Sequence, residues 1–151
     1  MPGTPDLRPL TILAFDFGLR RIGVAAGQQV TGSATPLTVV AVSDTGPDWL
    51  AIQRLIEEWR PGQLLVGLPF HADGSEADMS QAARKFAKEL ERFGIPTALV
   101  DERFSSMEAE ALFKAQRQSG LRGRMQKGDI DAISAAVIAE RWLAANAPGA
   151  S

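Results

Sequence analysis

Residues 10–27 read LTILAFDFGLRRIGVAAG, and the fold turns on how this stretch is parsed. Leu10 to Asp16 is a short apolar run closing on a carboxylate, the pattern of a buried strand. Gly18-Leu19-Arg20 turns the chain into a second apolar segment, Arg21 to Gly27. After Gln28-Gln29 a third extended segment runs from Val30 to Val42, interrupted by Pro36. Parallel neighbours need about a dozen connecting residues, and these segments have only a few between them. They are therefore read as an antiparallel meander of three strands.

Downstream the grammar changes. Asp44-Thr45-Gly46-Pro47 is a turn and helix-start cluster, and Trp49, Ile52, Leu55, Ile56 and Trp59 share one face before Pro61-Gly62 stops the helix. Leu64 to Leu68 reads as a strand with a loop, Pro69 to Ser75, at its C-terminal end. Met79, Ala83, Phe86, Leu90 and Phe93 mark a second helix that stops at Gly94, and Thr97 to Val100 is the next strand. Ser105 and Glu108 form a capping box for a third helix reaching about Ala115. The last helix is expected from Asp129, as N-cap, to about Ala144. Right-handed crossovers make the strands ending at Leu68 and Val100 parallel to the first. The expected fold class is α/β: a mixed five-stranded sheet, a three-stranded antiparallel meander plus two parallel strands, flanked by helices. Residues 1–9, with three prolines, read as a flexible lead-in, 10–145 as one domain, and 146–151 as a frayed tail.

Composition narrows the chemistry. The 151 residues carry 45% hydrophobic and 23% charged side chains, enough for a real core in one domain. Zero cysteines exclude disulfides, thiolate nucleophiles and Cys-based metal sites, and a single histidine, His71, excludes a His-rich zinc site. Sixteen basic against eighteen acidic residues give a net charge of −2, so any nucleic-acid binding must use a local patch. With no signal-peptide pattern and no long apolar run, the expected location is the cytoplasm, with no membrane partner.

Carboxylates must then carry any metal chemistry. In open α/β sheets ligands bind beyond the carboxyl ends of the parallel strands, here beside Asp16, the Pro69 loop and Asp101-Glu102. A half-buried aspartate closing an apolar strand needs a compensating cation or donor. Mg²⁺, a basic side chain or backbone N–H groups would serve Asp16; so would a plain hydrogen-bonded strand cap. Glu102 ends a strand parallel to the first. Its neighbour Asp101 points the other way, so one of the two faces the cleft. Asp131, near the start of the last helix, is the third candidate; there the helix dipole also favours an acid, and Asp129 competes with it for the role. Three separated acids point to metal-assisted phosphoryl transfer, with two ions roughly 4 Å apart activating water and stabilising the leaving oxygen.

The substrate side needs cations. Lys114, Arg117, Arg122, Arg124 and Lys127 lie in a run without acids, a phosphate clamp if it borders the acidic cleft and a solvated loop otherwise; Arg20 and Arg21 could add to it. His71 reads as a loop residue. Trp49, Trp59, Phe86 and Phe93 read as helix-to-sheet packing rather than base-stacking platforms.

Four motifs occur in order: Phe15-Asp16-Phe17-Gly18 with Arg21-Ile22-Gly23-Val24-Ala25; Val66-Gly67-Leu68-Pro69 with Asp73-Gly74; Asp101-Glu102-Arg103; and Lys127-Gly128 with Asp131-Ala132. Together they resemble the YqgF family, also called RuvX-like, over Leu10 to about Leu143. The resemblance implies an RNase H-like fold, a cytoplasmic location and a nuclease role in maturing the 5′ end of 16S rRNA from its precursor; some relatives are described as Holliday-junction resolvases. It maps the catalytic and metal-binding acids to Asp16, Glu102 and Asp131, with Arg103 and the Pro69 to Gly74 loop beside them. Asp129 and the pair Ser105-Ser106 depart from the family pattern, and Asp129 leaves open which aspartate ligates.

The leading expectation is a Mg²⁺- or Mn²⁺-dependent nuclease acting on structured RNA such as pre-rRNA. A resolvase of branched DNA and a non-catalytic module that docks on pre-ribosomes are the alternatives. Monomer and weak homodimer are both compatible with the sequence, and a paired cut would favour a two-fold dimer.

Overall fold

A computed structural model describes residues 10–68, 78–101 and 127–146. The elements follow in the order β1 (Thr11–Asp16), β2 (Arg21–Gln28), β3 (Ser33–Ser43), β4 (Gly46–Pro47), α1 (Trp49–Trp59), β5 (Gln63–Leu68), α2 (Asp78–Leu90), β6 (Thr97–Asp101) and α3 (Lys127–Ala145). The strands form one sheet in the order β4-β3-β2-β1-β5-β6. β1 to β3 are the antiparallel meander, whereas β5 lies parallel to β1 and β6 parallel to β5. The described sheet therefore has six strands rather than five. The extra one is the two-residue β4, where the chain read as a turn folds back to pair Gly46 with Ser43 and Pro47 with Val42.

Pro36 does not interrupt β3. Val24 pairs with Thr38 and Ala25 with Pro36, so Leu37 is an extra residue in the strand. This β-bulge lets β3 continue past a residue that has no N–H to give.

Alternation along the strands sends side chains to two separate cores. Leu13, Phe15, Val24, Leu64 and Val66 pack against Ile52 of α1 and Phe86 and Leu90 of α2. Ile12, Ala14, Ala25 and Leu65 pack against Ala135, Ile138 and Leu143 of α3. Coverage on both faces explains why β1 and β5 read as nearly continuous apolar runs. Phe86 anchors the first core: its ring lies 5.6 Å from Phe15 edge-on and 5.5 Å from Trp49 in a stack. Trp49, Trp59 and Phe93 pack against the same core, as the sequence pattern suggested, and Arg92 covers Trp49 at 4.1 Å. Residues 132–139 of α3 are all buried, so over two turns this helix is enclosed beyond its sheet-facing side.

The helix ends follow local chemistry. The Asp48 carboxylate caps α1 by accepting from the Ala51 N–H at 3.2 Å. At the other end Arg60, not a glycine, takes the left-handed conformation, with φ 46° and its N–H on the Ile56 carbonyl. Pro61 follows and disfavours the α region for the residue before it, so the helix must leave there. The second helix is α2 plus a 3₁₀ turn, Glu91–Phe93, closed by Gly94 at φ 71°. The helix expected over 105–115 lies outside the described residues. Among the described residues no helix is long and apolar enough to cross a membrane.

Candidate active site

Asp16 is the last residue of β1 and is half-buried. Its two neighbours across the sheet are both glycines: Gly23 on β2 and Gly67 on β5. No Cβ therefore flanks the carboxylate on either adjoining strand. Asp16 follows the parity of Ile12 and Ala14, which face α3.

Gly23 does a second job. A Cβ built there would fall on the carbonyl of Asp131 and only 2.8 Å from the Ala132 nitrogen. Glycine is what allows the start of α3 to lie directly on β2, one strand away from Asp16. The sheet and helix thus bring Asp16 and Asp131, 115 positions apart in the chain, to the same side and the same end of the sheet. The sequence signal for Gly23 is a glycine inside an otherwise apolar strand, which marks close backbone approach. The sequence presents it only as part of a motif, because its partner belongs to a distant helix.

Asp131 is partly buried, and its Oδ2 accepts a hydrogen bond from Arg21 Nε at 2.8 Å. Arg21 starts β2, two residues before Gly23, on the face that carries Asp131. The side chains are 45% and 28% exposed, so the pair contributes about 0.2–1 kcal/mol to stability. α3 already runs at Lys127, so Asp129 is not its N-cap but lies inside the first turn. Asp131 accordingly sits in the fifth helical position, past the reach of a first-turn dipole contact, and it accepts from a strand arginine instead.

Arg20 is exposed in the turn before β2, and its carbonyl accepts from the Val42 N–H at 3.0 Å. Asp101 closes β6, paired with Leu68, one row beyond the row of Asp16, Gly67 and Val100. Glu102, Arg103, Lys114, Arg117, Arg122 and Arg124 lie outside the described residues, as do His71 and the Pro69 to Gly74 loop. Lys127 is part of α3. Among the described residues no group of three acids or histidines forms a complete cation site. Asp16 and Asp131 both offer carboxylate oxygens, the donor type a hard divalent ion takes, and no Cβ on either adjoining strand crowds Asp16.

Known proteins resemble this chain over most of its length. The family model for RuvX, described as Holliday junction resolvase, matches residues 10–145. A protein of Edwardsiella ictaluri named "Putative pre-16S rRNA nuclease" is 50% identical over 138 residues, 91% of this chain and 96% of its own length. One of the same name from Pectobacterium carotovorum is 46% identical, covering 92% of this chain and 99% of its own. Among solved structures, Thermus thermophilus RuvC in complex with a Holliday junction substrate matches with a TM-score of 0.55 at 16% identity, over 90% of this chain and 94% of its own. The yeast mitochondrial Holliday junction resolvase Ydc2 matches with a TM-score of 0.51 at 13% identity, over 87% of this chain and 77% of its own. These likenesses assign the RNase H-like fold expected from the motifs. With nine-tenths of its length matched by the family model and half of 138 aligned residues identical in a relative covered to 96% of its length, the chain belongs to the RuvX family of nucleases.

Proposed function

We propose that this protein is a divalent-metal-dependent nuclease that hydrolyses phosphodiester bonds in structured RNA, with precursor 16S rRNA as its substrate. The observation that carries the reading is the meeting of Asp16 and Asp131 across Gly23, at the carboxyl end of β1. The name shared by relatives of 46–50% identity supports the RNA substrate. Glu102 is proposed as the third acid. Ala98 and Val100 pack on the α3 side of the sheet, and two-residue alternation favours Glu102 over Asp101 for that side.

Asp16, Glu102 and Asp131 would hold Mg²⁺ or Mn²⁺ through carboxylate oxygens. The ion, when bound, supplies an activated water and neutralises charge on the leaving oxygen. The chain's own residues do the rest. The backbone of Asp16 is held by strand pairing on both sides, so its carboxylate projects from a fixed point at the cleft. Arg21 offers a guanidinium at the cleft edge, where a backbone phosphate would be held by charge-assisted hydrogen bonds. Arg20, Arg103, Lys114, Arg117, Arg122, Arg124 and Lys127 are proposed to extend that phosphate contact along the substrate. A cytoplasmic location follows from an RNA substrate of this kind.

Branched DNA is the second reading, favoured by the family's description and by the resolvase folds. Two related cuts across a junction need a two-fold dimer, which one copy cannot supply. The discriminating experiment offers purified protein matched precursor rRNA and four-way junction DNA with Mg²⁺ or Mn²⁺, alongside Asp16→Asn and Glu102→Gln. Cleavage of rRNA lost in both variants is expected. Junction cutting by a dimer would move the assignment to resolution, and binding without cleavage would leave a docking module.

A further inference from the structure

We propose that Arg21 is a built-in counter-ion for the cation site: it holds Asp131 in the metal-free protein and gives the carboxylate up when a divalent ion binds. The inference rests on the metal-site reading above and adds to it an exchange at one oxygen.

Oδ2 of Asp131 is already used by Arg21 Nε, at 2.8 Å and with the geometry of a charge-assisted bond. A metal-free acidic cleft holds like charges that repel, and a guanidinium between β2 and α3 offsets that repulsion. A divalent ion on Asp131 would sit within a few ångströms of the same guanidinium, so the two cations oppose each other for one carboxylate. Arg21 can yield: it is at the start of its strand, and its side chain is 45% exposed with no place in either core cluster. The Asp131 main chain cannot follow it, because Gly23 and the buried turn from Ala132 onward hold it in place. Exchange of partner at a carboxylate carried on a held main chain is therefore the motion the packing permits. A plain tether joining α3 to β2 is the rival account, and it predicts a different response to metal.

Mn²⁺ binding by calorimetry and unfolding temperature with and without Mn²⁺ would be measured for the intact protein, Arg21→Gln, Arg21→Lys, Asp16→Asn and Asp131→Asn. For Arg21→Gln the expected result is Mn²⁺ binding about three- to tenfold tighter than in the parent. Its unfolding temperature should fall without metal and recover at saturating Mn²⁺. Arg21→Lys, which keeps the charge, should stay near the parent in affinity. Arg21→Gln binding at or below parental affinity, or with a stability loss that saturating Mn²⁺ does not repair, overturns the exchange. If Asp16→Asn has meanwhile lost Mn²⁺ affinity, the metal site itself stands. If Asp16→Asn and Asp131→Asn both bind Mn²⁺ as the parent does, the metal site falls and takes the exchange with it.

Discussion

Gly23 and Asp131 touch backbone to backbone: the α-carbon of the glycine lies where any side chain would strike the aspartate's carbonyl. Because Gly23 also pairs with Asp16, this single contact sets the separation of the two acids. The main-chain positions from which the two acids project are thus set by backbone packing.

Gly23→Ala is expected to force α3 off the sheet. Overpacking of this kind costs about 1–3 kcal/mol, read as a lower urea midpoint. Cleavage per folded molecule should fall as well, since Asp131 moves with the helix. A variant with parental stability and activity would show that the helix start has room to give.

Asp16→Asn keeps shape and removes charge. Folding should be unchanged by circular dichroism, and Mn²⁺-supported cleavage should drop by more than about a hundredfold, beyond the effect typical of residues that only support a ligand.

Arg21→Gln should weaken nucleic-acid binding evenly across sequences. Measured between low and moderate salt, the slope of log affinity against log salt should shrink by about one. An unchanged slope would mean that Arg21 makes no phosphate contact.

Phe86→Ala addresses the aromatic cluster. Phe86 is 2% exposed and touches Phe15, Phe17 and Trp49. Its truncation should cost about 3–5 kcal/mol while leaving nucleic-acid affinity of the remaining folded protein intact. Lost affinity with retained stability would instead mark a base-stacking role.

Much of this was legible in the chain. The meander followed from connection lengths alone, and the parallel strands from the handedness of their crossovers. Asp16 stood out because an apolar strand has little use for a terminal carboxylate. What the sequence did not disclose is pairwise and long-range. β4 is two residues held by partners on β3, with no local periodicity to announce it. Pro36 looked like a break because a bulge is a property of two strands. Asp129 looked like an N-cap because a helix start is marked only by its own neighbours, while α3 already runs at Lys127. The Arg21 to Asp131 contact spans 110 positions, and the arginine carries no mark of its partner. Of the three acids, Asp16 ends β1 and Asp131 lies in the second turn of α3, whereas Glu102 is outside the described residues and its proposed side rests on alternation from Val100.

The enclosure of residues 132–139 has one more result. Asp131 is carried immediately before the longest unbroken buried run among the described residues, in which four of eight side chains are alanine. Loosening that helix to widen the cleft would expose interior surface, so on the proposed metal reading ion affinity is retuned at lower cost by groups on the strands than by moving the helix. Heat should accordingly strip the ion and undo the hydrophobic interior in a single step, not in sequence.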